Sequence, residues 1–421
     1  MFSFLRKPSH QFFLAVCPTR CSRFASSSGP VMAGPSEQQR QGLTSLNVTF
    51  LGTASAQPSS TRNHSALAVR LNSDIWLFDC GEATQHQLQK STLKMGKIEK
   101  IFITHTHGDH IFGLIPLLAS CMNGAGGIAG ENCDDPRKRV DLNIPPLEIY
   151  GPLGTRAYVR SGLQYTHTLL GRPYVVHELR FPSDPEDQDF TTLSPSLAEL
   201  PTGKNIAMED GVWPEIYKDN VVSVSAAPIL HSVPCVGFVV QEAPVAGKIN
   251  SKDYIPQLKR TNTPMSVMRQ LQQGESVTLN DGTVLHGPPR RPGRKLCILG
   301  DTYDPSAIIP LAKDANLLIH EATNAHLPGV DLTTKETDTY ETVEERAKSR
   351  GHSTPQMAGS FAKTIQAKSL VLNHFSARYP GDDSELSLKI MAAIGKLAEQ
   401  EFGKEVLCAR DFTSFDITFK E

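Results

Sequence analysis

The 421-residue chain has no Cys-x-x-Cys pair. It has no apolar run approaching the roughly 20 residues that a membrane-spanning helix needs. It also has almost no net charge, since 42 Lys and Arg against 44 Asp and Glu leave -2. Each absence closes off a class. Eight scattered cysteines suit a reducing compartment and rule out a cysteine-built zinc knuckle. Without a membrane span, no membrane partner is expected. A near-neutral total means that any affinity for a polyanion must come from a local basic patch, not from an overall field. Acidic residues are also missing from the first 36 positions, where Arg6, Lys7, Arg20 and Arg23 stand among many Ser and Phe before Glu37. That is the composition of an organelle transit segment, so 1–36 is expected to direct mitochondrial import, with a chloroplast as the alternative. An internal start at Met32 would give an untargeted cytosolic or nuclear form.

What remains is a chain with 39% hydrophobic and 20% charged residues, enough for a large core. The folded part is expected over 44–421. Its most informative stretch is Ile101-Phe-Ile-Thr-His105-Thr-His107-Gly-Asp109-His110. An apolar strand is followed at once by three histidines and a carboxylate. Imidazole and carboxylate suit zinc and similar divalent ions, and so many donors in one strand-end loop point to a metal site with room for two ions.

The pattern recurs down the chain. Val221–Ala226 reads as a strand closely followed by His231; Leu296–Leu299 runs into Gly300-Asp301, Leu317–Ile319 into His320-Glu321, and Leu370–Leu372 toward His374. Side chains gathered from the ends of several strands are how sheet folds assemble a single site. Upstream, Leu46–Leu51 alternates like a strand, and Ala66–Leu71 and Asp74–Phe78 make a hairpin around Asn72-Ser73. Asp79 follows that hairpin and is a candidate to receive the outer N–H of a ligating imidazole. A helix is expected over 84–93, another over Leu386–Phe402, and closing strands near 405–408 and 412–419.

Between these elements, 123–146 and 181–220 read as surface insertions. The segment 242–292 has few apolar residues in a regular pattern. It carries Lys248, Lys252, Lys259, Arg260 and Arg269, and the basic run Arg290-Arg291 continues into Arg294-Lys295 beyond it, which together suggest a projecting basic arm.

The motif His105-x-His107-x-Asp109-His110 resembles the signature of the metallo-β-lactamase superfamily. More specifically, the chain resembles ribonuclease Z of the short form. The residues that carry this likeness are Pro58-Ser-Ser-Thr-Arg62, Phe78-Asp79-Cys-Gly-Glu82, Ile149-Tyr-Gly-Pro152, Gly300-Asp301-Thr302, His320-Glu321-Ala322-Thr323, Gly351-His352-Ser353-Thr354 and His374-Phe-Ser-Ala-Arg378-Tyr379. The likeness covers most of 46–421. It implies an α/β fold of the αββα type, two β-sheets between outer helices, with 242–292 as an inserted tRNA-gripping arm. It implies a metal-dependent endoribonuclease acting on precursor tRNA, with two zinc ions as cofactors and a homodimeric assembly. Carried onto matching positions, one zinc falls to His105, His107, His231 and Asp301, and the other to Asp109, His110, Asp301 and His374. A shared carboxylate such as Asp301 is what paired metals about 3.5–4 Å apart require. Asp109 is then the proton acceptor for the attacking water, and His352, oriented by Glu321, the acid for the leaving oxygen. Arg62, Lys248 and Arg378 are candidates for phosphate contact. In the arm, Thr263-Pro264 and Gly247-Lys248-Ile249 depart from the family's usual pattern.

His10, His64, His86, His167, His177, His286 and His326 are read as structural or surface residues, and His320 as a support for the loop of Glu321. Two competing functions are defined by what they would lack. A thioester or small-phosphodiester hydrolase would need no basic arm, and a non-catalytic tRNA-binding relative would have lost ligand positions, all of which are filled.

Overall fold

The computed structural model describes residues 42–122 and 140–419. The expected transit segment 1–36 and the basic run Arg137 to Arg139 lie outside them. Among the described residues no helix is long and apolar enough to cross a membrane. The cysteines at 80, 121, 235, 297 and 408 are free thiols.

Leu46–Gly52 pairs antiparallel with Ala66–Leu71, which turns through Asn72 into Asp74–Phe78, the hairpin read from the sequence. Asn72 takes the left-handed backbone (φ 57°) that suits Asn at such a turn. From there the chain changes habit. Ile98–Phe102, Leu147–Pro152 and Tyr174–Arg180 add on in parallel, which requires crossovers, and the helices Thr84–Lys90, Leu114–Cys121 and Thr155–Tyr165 lie within them. Ser414–Asp416 and Asn205–Ala207 close the two edges of this eight-stranded sheet. A second sheet of seven strands joins Val222–Ile229 and Cys235–Glu242, antiparallel, to Lys295–Ile298, Leu317–Glu321, Leu370–Asn373 and Val406–Cys408, which run parallel.

Three apolar clusters bind these layers in an α-β-β-α order. Between the sheets lie Phe50, Trp76, Phe78, Phe102, Phe238, Leu296 and Ile319. The Phe102 ring stacks on both Phe78 (4.8 Å) and Tyr150 (5.0 Å) and meets Phe238 edge-on across the sheets at 5.4 Å. On the outer face of the first sheet, Leu88, Leu114, Leu117, Leu118 and Val159 bury the helices named above. On the outer face of the second, Ala358, Phe361, Ile390, Ile394 and Ala398 bury Pro355–Thr364 and Glu385–Phe402. The latter helix begins at Ser384, whose hydroxyl accepts the Ser387 N–H, and ends at left-handed Gly403.

Two stretches depart from the sequence reading. Residues 181–220 are not a loose insertion. They supply Asn205–Ala207 to one sheet and Trp213–Lys218 to the other, with Trp213 fully buried against Phe181 and its indole N–H bonded to the Ile206 carbonyl. Two of their acidic residues, Asp189 and Glu199, bind Arg156 and Arg160 of the helix Thr155–Tyr165. Low apolar periodicity hid this because the segment is held by ion pairs and a single large side chain.

The second departure is the basic segment. Ser251–Arg260, Met268–Gln272 and the hairpin of Ser276–Thr278 with Val284–His286 close around Leu258, Leu271, Val277, Leu279 and Leu285, a small core separate from the other three. It is a lobe with its own interior. At its root Arg294 forms a bidentate pair with Glu242 at 2.8 and 2.9 Å and donates to the Ile417 carbonyl, all buried, so Arg294 serves structure rather than a basic surface. Removing one member of a buried pair strands the other charge, a loss of about 3–5 kcal/mol. Arg294→Met is therefore expected to lower stability by about that amount in urea unfolding; a midpoint like that of the wild type would show that the pair is not holding the lobe's root.

Candidate active site

Donors arrive at the mouth between the sheets from both sides. Ile98–Phe102 delivers His105, His107, Asp109 and His110; the second sheet delivers His231 after Val222–Ile229, Asp301 after Lys295–Ile298, and His374 after Leu370–Asn373. At the close approach of the two sheets stands Gly300. A Cβ there would lie 2.6 Å from the Thr104 Cβ and 2.8 Å from the Cys235 Sγ, so the strand end can enter only without a side chain.

The side chains form two groups that share a boundary. In the first, His105 Nε2 and His231 Nε2 lie 3.1 and 3.2 Å from His107 Nδ1. In the second, His110 Nε2 and His374 Nε2 are 3.1 Å apart, with Asp109 Oδ2 at 3.6 and 3.4 Å from them. Asp301 reaches both: its Oδ1 is 3.4 Å from His110 and 3.3 Å from His374, and its Oδ2 is 3.8 Å from His105. The histidines are held from behind. His110 Nδ1–H donates to Asp79 Oδ2 at 2.6 Å and His231 Nδ1–H to the Gly351 carbonyl at 2.7 Å, while His105 Nδ1 meets Thr104 Oγ1 at 3.0 Å and His374 Nδ1 meets Thr323 Oγ1 at 3.2 Å. With one ring nitrogen fixed, each turns the other inward.

The electrostatics suit a cation. Burial first, then neighbouring imidazoles, push His105 and His107 below the ordinary histidine range, and burial does the same to His231, so these three offer neutral nitrogens. Burial would raise Asp109 and Asp301, yet contacts with His374 and His110 hold both carboxylates well below their usual range. Burial opposes a charge on His110, but Asp301 and Asp79 raise it above the ordinary histidine range. Imidazoles and ionised carboxylates converging on two adjacent points are the donor set of a divalent-metal site. One ligand position and one support also use unusual backbone: His374, and Asp79 behind His110, are left-handed without being glycine, at φ 55° and 60°.

Beside the shared carboxylate sits another pair. His352 Nδ1–H donates to Glu321 Oε1 at 3.0 Å, and that buried carboxylate also accepts the Thr302 N–H at 2.8 Å and the Thr323 hydroxyl at 2.6 Å. Burial opposes a charge on His352, but Glu321 overcomes it and raises the imidazole to about 9. His320 Nδ1–H donates to the Glu321 backbone carbonyl at 2.8 Å, in keeping with a supporting place.

A family model described as Anti-Pycsar protein Apyc1 matches residues 46–123, which hold the His105–His110 cluster but not the later donors. Over longer spans, the chain is 38% identical to zinc phosphodiesterase ELAC protein 1 of Bos taurus over 398 residues, covering 90% of this chain and 100% of that protein. It is 36% identical to ribonuclease Z of Nostoc sp. over 349 residues, 81% and 87% of the two chains. The chain belongs to the ribonuclease Z family. Its structure matches the crystal structure of human tRNase Z, short form (ELAC1), with a TM-score of 0.56 at 33% identity, covering 89% of this chain and 100% of that one. The two-sheet sandwich is thus this family's metallo-β-lactamase fold.

Not every residue that the likeness to ribonuclease Z singled out lies at the mouth. Arg62 is a correction: it is buried, its Nε–H donates to the Tyr379 carbonyl and its Nη1 to Thr53 Oγ1 and the Ala409 carbonyl, so it offers nothing to a substrate phosphate. Arg378 is partly exposed, with its guanidinium donating to Thr333 Oγ1 and Asn324 Oδ1. Lys248 is exposed on the lobe. Among the described residues, the histidines given no role stay outside the donor groups. What the sequence reading missed are the neutral supports, Thr104, Thr323, the Gly351 carbonyl and the Ala56 N–H, which donates to Asp109 Oδ2 at 2.8 Å. Thr323 stood inside a quoted motif without a role; a backbone amide leaves no mark in sequence.

Asp79 ties His110 to the Thr104 N–H (2.7 Å) and hydroxyl (2.9 Å). Asp79→Ala is expected to weaken divalent-metal affinity about 10- to 100-fold in competition with a chromophoric chelator. An unchanged affinity would separate Asp79 from the donor groups.

Proposed function

We propose that this chain is a zinc-dependent endoribonuclease that removes 3′ trailers from precursor tRNA, hydrolysing the phosphodiester to leave a 3′-hydroxyl on the tRNA and a 5′-phosphate on the trailer. The observation that carries the proposal is the Glu321–His352 pair set against the shared carboxylate, with His352 Nδ1 3.0 Å from Glu321 and 3.8 Å from Asp301. A departing sugar oxygen needs a proton as its bond breaks, and an imidazole with one nitrogen tied to a carboxylate presents the other to do this. Thioester chemistry, with its better leaving group, has no such need. The names of the family relatives, ribonuclease Z and zinc phosphodiesterase, support the same substrate class and metal.

Two zinc ions fit the donors, one on His105, His107, His231 and Asp301 and one on Asp109, His110, Asp301 and His374. Bound there, the ions supply an activated water and offset charge on the phosphoryl oxygens. Asp109, whose Oδ2 is turned to His110, His374 and the Ala56 N–H, keeps its other oxygen to take the proton of the attacking water. His352 gives its Nε2 proton to the departing 3′-oxygen, while Glu321 fixes the tautomer.

The lobe supplies tRNA affinity away from the chemistry. Lys248, Lys252, Lys259 and Arg269 are exposed on it, the kind of phosphate contacts that position an RNA without reading its sequence. Two copies act together in this reading, the lobe of one presenting tRNA to the other's site. On composition alone, 1–36 is proposed to direct mitochondrial import.

Purified protein should cut precursor tRNA, lose that activity to a chelator, and leave a thioester intact; preferential thioester hydrolysis would overturn the substrate class. His352→Ala should keep its zinc content while cleavage falls about 100- to 10,000-fold, and near-normal turnover would reject the acid role. Deleting 247–285 is expected to weaken precursor-tRNA binding while sparing a small phosphodiester such as bis(p-nitrophenyl) phosphate; equal loss of both would contradict a separate binding lobe.

A further inference from the structure

We infer that Arg62 is a positioning residue: acting through the loop 53–62, it fastens Asp109 and His374 to one backbone frame and so sets the second donor group without setting the first. The inference rests on the two-ion reading of the site.

The loop is pinched shut at its start. A Cβ on Gly52 would lie 1.7 Å from the His64 carbonyl oxygen, and the Ala54 N–H donates to the Asn63 carbonyl at 2.9 Å. Into this pinch comes Arg62, 1% exposed. Its guanidinium joins the start of its own loop, Thr53 Oγ1 at 2.7 Å, to two remote pieces of chain, the Tyr379 carbonyl at 2.8 Å and the Ala409 carbonyl at 2.9 Å, with the Phe375 ring centroid 4.6 Å away. Thr53 donates its own hydroxyl to Asp411 Oδ1 at 2.7 Å, and Asp411 Oδ2 accepts the Asn63 N–H at 2.7 Å and the Gln87 side chain at 2.9 Å.

Two contacts lead from this clamp to the site. Toward His374, the Phe375 N–H donates to the Thr53 carbonyl at 2.8 Å, and Ala54–Ser55 pairs in parallel with Phe375–Ser376. The left-handed turn at His374 is therefore gripped on the residue that follows it. Toward Asp109, Ala56 is itself left-handed at φ 57°, and that turn aims its N–H at Asp109 Oδ2, 2.8 Å away. A non-glycine residue stays in that conformation when its surroundings over-determine it, which the clamp does. The first donor group is fixed elsewhere, His105 by Thr104 and His231 by Gly351. Loosening the clamp should thus act on one metal position and not on the other.

The test uses metal-stripped full-length protein titrated with zinc by calorimetry, for the wild type, Arg62→Met and Thr53→Val. The second variant removes a single hydroxyl and remains informative if the first does not fold. The expected result is two binding steps in the wild type, with the first unchanged in the variants and the second weakened about 10- to 100-fold. Metal content after gel filtration should fall from two ions per chain toward one. Two wild-type steps that both survive unchanged in Thr53→Val would overturn the clamp alone, as would equal weakening of both steps, the sign of general structural support. One ion in the wild type would overturn the two-ion reading and the clamp with it.

Discussion

The Asp301 carboxylate is buried where the two sheets meet, and a charge there must be matched from several directions at once. His110 and His374 approach one of its oxygens, and His105 and His352 approach the other. Two of those four imidazoles hang from the first sheet and two from the second. Neither sheet can shift against the other without opening a gap beside a buried anion. The aromatic contacts of Phe102 with Phe78, Tyr150 and Phe238 supply the apolar counterpart a few residues below, so packing and charge fix the same relative placement.

That placement lets small groups do much of the support. Three carboxylates, Asp79, Glu321 and Asp411, each accept two or more hydrogen bonds from side chains and backbone amides, and each of them ends one route to a functional side chain. Low local dielectric makes such satisfied networks rigid and makes any missing member costly. The chemistry is accordingly split: residues that face the mouth are histidines and carboxylates, and those that hold them are further carboxylates, threonines, backbone amides and backbone carbonyls.

This split decides what could be read from the chain alone. A strand that ends in His or Asp is visible as a pattern, so His105, His231, Asp301 and His374 were legible, and Asp79 was found because an outer carboxylate is expected behind a ligating imidazole. Arg62 was misread because a basic residue next to a motif looks the same in sequence whether it faces RNA or a backbone carbonyl more than 300 positions away. The segment with Trp213 and the lobe around Leu258 escaped for another reason. Their short elements bury one or two side chains each, too few to set up a period.

The lobe is tied to the sandwich through neighbouring strands, Cys235–Glu242 and Lys295–Ile298, with the Arg294–Glu242 pair clasping the two where they part. Because it carries its own interior, a lineage could lengthen, shorten or exchange it while the pocket of histidines is inherited untouched. The geometry thereby gives evolution two independent dials, one for the lobe and another for the donor groups.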